Sequence, residues 1–88
     1  MTENRFEIIF DRTPVVDWEG DNVFLGLQII GKYINPNKTD IVIAAKSDWV
    51  CSVSVKELCD AGITKEDATR LRNYNWSIEN GQYLMCWV

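Results

Sequence analysis

The feature that most constrains this chain is the dipeptide Asn80-Gly81, set between Trp76-Ser77-Ile78-Glu79 and Tyr83-Leu84-Met85-Cys86-Trp87-Val88. Asn-Gly is the preferred centre of a two-residue type I′ turn, since both residues tolerate positive φ and the turn's twist suits the strands it joins. The flanking segments are apolar and aromatic, so a C-terminal β-hairpin is expected.

Two helices are written just upstream. Ser54-Val55-Lys56-Glu57 is a capping box, with a hydroxyl at the N-cap and a carboxylate three residues on that reaches back to the N-cap amide. This helix ends at Ala61-Gly62, where glycine suits the left-handed residue past a helix end. Thr64 caps a second helix with acids in its first turn and Arg70 and Arg72 in its last, the order the helix dipole favours. Ala68, Leu71 and Tyr74 line one face of it.

The first half reads as strands. Phe6, Ile8 and Phe10 alternate, which predicts a strand over 6–10 ending at Asp11. Asp11-Arg12-Thr13-Pro14 reads as a turn, and Val15 to Trp18 as a brief extension before the turn Glu19-Gly20-Asp21-Asn22. Val23 to Ile34 is almost continuously apolar, and Gly26 and Gly31 would each cost a helix about 1 kcal/mol against alanine. A long strand with a bulge or bend is therefore expected. It would turn at Asn35-Pro36-Asn37-Lys38 and pair with Ile41–Ala45 as a hairpin over 23–45. Trp49–Val53 makes a further strand. The predicted fold is a single α+β domain over 1–88: a mostly antiparallel sheet, two short consecutive helices (about 54–61 and 64–74) packed on one face, and the C-terminal hairpin.

Chemistry is harder to find. The chain has no histidine, which removes the usual general base and the commonest metal ligand. It has no Gly-rich phosphate loop and no GxSxG elbow. Cys51, Cys59 and Cys86 are three cysteines without CxxC spacing, read as reduced, buried small hydrophobes. No enzyme activity, cofactor or metal is expected. Asp17-Trp18-Glu19-Gly20-Asp21-Asn22 lacks the Asp-x-Asp-x-Asp-Gly order and the distal glutamate of a calcium loop. No run of about eighteen apolar residues and no secretory leader are present, so a soluble, cytoplasmic protein is expected.

The formal net charge is −4. Residues 1–21 hold six acids against two bases, and the remainder holds seven of each. The excess negative charge therefore gathers in the first quarter, where it would repel nucleic acid or meet a basic partner. The candidate protein-contact site is Asp17, Trp18, Glu19 and Asp21, an aromatic anchor among carboxylates. An alternative is a nucleic-acid-associated regulator using the 54–75 helical pair, which has a helix-turn-helix outline, through Lys65, Arg70 and Arg72 with Lys56 in support. Against it, that segment carries no net charge. A third reading is a homo-oligomer that pairs an exposed sheet edge or aromatic patch. Trp49, Trp76 and Trp87 all fall in predicted strands and are read first as core; Trp76 and Trp87 on a shared exposed face would instead form a partner-binding patch.

In size, acidity and lack of catalytic motifs, the chain resembles the small stand-alone proteins that phages encode to block a host factor, anti-CRISPR proteins among them. The resemblance implies a non-enzymatic inhibitor that binds a host protein, and it assigns no residue. The expected role is a protein-interaction module with a partner of basic surface.

Overall fold

A computed structural model describes residues 1–16 and 21–87. These residues form four helices and one antiparallel sheet of four strands: α1 (Glu3–Arg12), α2 (Asn22–Tyr33), β1 (Val42–Ala45), β2 (Trp49–Ser54), α3 (Val55–Asp60), α4 (Lys65–Asn73), β3 (Trp76–Glu79) and β4 (Tyr83–Trp87). The sheet order is β1-β2-β4-β3, so the α+β architecture with a C-terminal hairpin holds.

The second half follows its local signals closely. Ser54 ends β2 and caps α3 in one step: its hydroxyl accepts from Glu57 N–H at 3.1 Å, and its own N–H donates back to Glu57 Oε1 at 3.2 Å. Helix α3 closes with Gly62 at φ 88°, Ile63 N–H on Leu58 O and Gly62 N–H on Cys59 O, both at 3.1 Å. That pair of bonds is the Schellman arrangement, and Leu58 and Ile63 bury the hydrophobic contact that accompanies it. Thr64 caps α4 by accepting from Asp67 N–H at 3.2 Å.

Two predicted strands are instead helices. Residues 6–10 lie inside α1, where Thr2 caps by accepting from Arg5 N–H at 3.1 Å. The buried positions are Phe6, Ile9 and Phe10, spaced i, i+3, i+4, and the two Phe rings stack at 4.8 Å between centroids. The alternation of Phe6, Ile8 and Phe10 is thus incidental; Ile8 belongs to the flank of a helical stripe. Residues 23–34 form α2 up to Tyr33, so there is no hairpin over 23–45. The Asn35 turn closes as expected, with Lys38 N–H on Asn35 O at 3.1 Å and Asn37 N–H on Asn35 Oδ1 at 2.9 Å, but it joins a helix to β1. Strand β1 pairs with β2, and Lys46 N–H closes that hairpin on Trp49 O at 2.8 Å.

Gly26 explains why α2 is a helix despite its glycines. A Cβ built there would lie 1.9 Å from Trp76 Nε1, so the helix backbone itself is the surface on which the indole rests. Trp76 is fully buried and donates its ring N–H to Asn22 O at 3.0 Å. Tertiary packing of one aromatic ring outweighs the modest helix penalty of one glycine.

The same ring anchors a single core. Phe6, Ile9 and Phe10 of α1, Ile29 and Ile30 of α2, Val55 and Leu58 of α3, and Ala68 and Leu71 of α4 meet Val53, Trp76, Leu84 and Cys86 of the sheet in one cluster. The cover is also tied by charge. Asp67, buried at the start of α4, accepts from Lys32 Nζ at 2.8 Å and from the Tyr33 hydroxyl, with Arg70 at 3.6 Å. Tyr33 OH in turn accepts from Thr64 N–H at 3.3 Å. This clamp joins the end of α2 to the beginning of α4.

Candidate protein-binding face

The helices meet one face of the sheet, and strand alternation puts the remaining side chains on the other. Register fixes which ones. Trp76 pairs with Cys86 and Ile78 with Leu84, all turned to the core. Ser77 pairs with Met85, and Met85 with Cys51, so these three share the opposite face. Two residues further along the same two strands, Trp49 stands directly across from Trp87. Glu79 and Tyr83 form the next pair in the other direction.

Met85 is buried yet stands outside the core cluster, so its neighbours on the uncovered face are what shield it. Trp87 is 48% exposed and Trp49 is half-buried. Trp49, Cys51, Glu79, Met85 and Trp87 together line a shallow hollow of about 240 Å³. Burial, followed by the charge of Glu79, pushes the Cys51 thiol up. Burial also pushes the Cys59 thiol up and raises Cys86 to about 11, so all three cysteines are held as neutral thiols. Lys46 Nζ sits 6.0 Å from the Trp49 ring centroid.

The residues singled out from the sequence are placed as follows. Asp17, Trp18 and Glu19 lie outside the described residues. Asp21 is exposed just before α2, and its carbonyl accepts from Leu25 N–H at 2.9 Å. Of the nearby acids, Glu3 and Asp11 are exposed and Glu7 is half-buried on α1. Lys65, Arg70 and Arg72 do not converge. Arg70 approaches Asp67, and Arg72 donates to Trp76 O at 3.0 Å. Lys65 instead joins Arg5 and Arg12 along a cleft of about 200 Å³ between α1 and α4. Lys56 is held by Asp60 at 2.6 Å. Trp76 and Trp87 do not share a face.

A second apolar groove runs along α2 between Phe24, Leu27, Gly31, Pro36 and Ile41. Among the described residues, no group of three His, Cys, Asp or Glu is placed to hold a metal ion, and no helix is long and apolar enough to cross a membrane. No protein-family model matches the chain, and no curated protein and no solved structure matches it.

Sequence reading missed Trp49 and Trp87 as a pair. The signal was present in period-two alternation within each strand, but only the register between strands makes it a patch.

Proposed function

We propose that this chain is a protein-interaction module that works by docking, without chemistry of its own, and that the uncovered sheet face is its contact surface. The observation that carries this reading is the cross-strand pair Trp49 and Trp87 over Met85, on a face that no described helix meets. Tryptophan is enriched among the few residues that dominate interface energies, and a clustered aromatic patch rimmed by polar groups is what a partner site requires. The neutral thiols and the lack of histidine support a role without nucleophilic catalysis. The net charge of −4 supports a partner of basic surface, and a blocker that covers such a surface on a larger protein is the form we favour.

The test is affinity capture from the native host with wild-type protein, Trp87→Ala and Phe24→Ala. A co-purifying protein that disappears with Trp87→Ala and stays with Phe24→Ala is the expected result. If the tryptophan variant retains every partner, the contact surface lies elsewhere.

A further inference from the structure

The hollow on this face has one feature that a purely apolar docking patch lacks: the exposed acid Glu79 is among its lining residues, and its charge reaches the Cys51 thiol beside it. We infer that the hollow receives a cationic side chain, an arginine presented by the partner protein; this rests on the docking reading above. Its lining is two indoles, the Met85 thioether, the Cys51 thiol and one acid. Glu79 has no ion-pair partner among the described residues.

Each candidate occupant meets that lining differently. A leucine or phenylalanine would meet the apolar part of the lining and leave the charge of Glu79 without a partner. An acidic group would meet the charge of Glu79 head on. A cation satisfies both halves of the site, since the π faces of tryptophan attract positive charge and the carboxylate pairs with it. Trp49 already draws the ammonium of Lys46 to 6.0 Å, so a cation can reach this ring. Trp87, half exposed, has no cation over it among the described residues. Between the two natural cations, guanidinium fits better than ammonium. It is planar and weakly hydrated, stacks flat on an indole and offers a fork of N–H donors to a carboxylate.

The experiment uses the full ¹⁵N-labelled chain and three capped tripeptides, Gly-Arg-Gly, Gly-citrulline-Gly and Gly-Leu-Gly, read at the indole N–H signals. Trp76, buried with its N–H on Asn22 O, serves as the internal reference. The arginine peptide should move the Trp49 and Trp87 signals in the millimolar range and leave Trp76 in place. Citrulline keeps the shape and loses the charge, and should bind about three- to tenfold more weakly. Glu79→Gln should weaken the arginine peptide by a similar factor and leave the other two peptides unchanged. Equal binding of the leucine peptide, or no response of either indole to arginine, overturns the inference. Neither result touches the docking reading, which stands or falls on the Trp87→Ala capture.

Discussion

The two faces of the sheet use the same residue type in opposite ways. On the covered face Trp76 has no exposed surface, its ring N–H is bonded to Asn22 O, and Gly26 has been cut back to a bare backbone to admit it. On the uncovered face Trp49 and Trp87 stand opposite each other across the ladder and line one hollow with Met85, and Trp87 keeps nearly half its surface in water. Burial of Trp76 contributes to folding. The open indoles retain apolar area that only a partner can remove from water, which is why aromatic residues left on a surface point toward association. Residue identity does not distinguish the two roles; position in the ladder does.

The largest expected effect sharpens that contrast from the covered side. Trp76→Ala should lower unfolding free energy by about 3–5 kcal/mol, the range for deleting a large buried aromatic side chain. Denaturant unfolding measures it, and a loss below about 1 kcal/mol would mean the ring is not the centre of the core. Gly26→Ala attacks the same contact from the helix. Its new methyl would fall 1.9 Å from Trp76 Nε1, so the indole or α2 must move, and overpacking of this kind costs about 1–3 kcal/mol. Gly31→Ala is the matched control in the same helix. Nothing lies within 4 Å of its Cβ position, so it should stabilise by about 0.5–1 kcal/mol through better helix propensity. Opposite signs for two glycines five residues apart would locate the difference in packing alone.

That pair of glycines also shows how far the sequence was legible. From Trp49 onward the signals are local: a capping box, a Schellman glycine, a Thr N-cap and an Asn-Gly turn each fix a few residues, and all four are present. In α1 and α2 the deciding information is nonlocal. Phe6-Glu7-Ile8-Ile9-Phe10 satisfies period two and period 3.6 at once, and Gly26 argues against a helix until Trp76, fifty residues away, is placed on it. The face of Trp87 was hidden for a subtler reason. Asn80 and Gly81 do take positive φ, and Gln82 N–H closes their turn on Glu79 O at 3.0 Å. Yet the ladder resumes at Glu79 and Tyr83, which leaves Gln82 as an extra residue whose carbonyl accepts from Val55 N–H at 2.9 Å. A plain two-residue loop would pair Glu79 with Gln82 and put Trp76 and Trp87 on one face. One added residue shifts the register and sends them to opposite sides.

An effect smaller than that of Trp76→Ala is expected where the helical cover is tied together. Burial alone would raise the Asp67 carboxyl, but hydrogen bonds from Lys32 and Tyr33, with the charges of Lys32 and Arg70, outweigh it and hold the group below the ordinary value of 3.8. A carboxyl depressed on folding stabilises fully above its unfolded value, and that stabilisation is lost as pH falls through the folded one. Asp67→Asn should therefore destabilise at neutral pH by about 1.5–3 kcal/mol, the worth of hydrogen bonds to a charged group. The gap between variant and wild type should narrow as the pH drops below 4, measured by urea unfolding at each pH. A gap that stays constant would show that shape, not charge, ties α2 to α4.

Trp87→Ala should have the smallest effect on folding, and it is the variant that can break the comparison. The side chain is half exposed and stands directly across the ladder from Trp49, and a cross-strand pair of this kind is worth about 0.2–1 kcal/mol. Thermal unfolding should therefore shift only slightly, and the Trp76 indole signal should not move, because the two rings lie on opposite sides of β4 and β3. If Trp87→Ala instead destabilises as much as Trp76→Ala, the uncovered face is a second core and its aromatics belong to the fold. A small loss of stability together with loss of a partner would assign the exposed indole to recognition, since the same side chain would then matter for binding and hardly at all for folding.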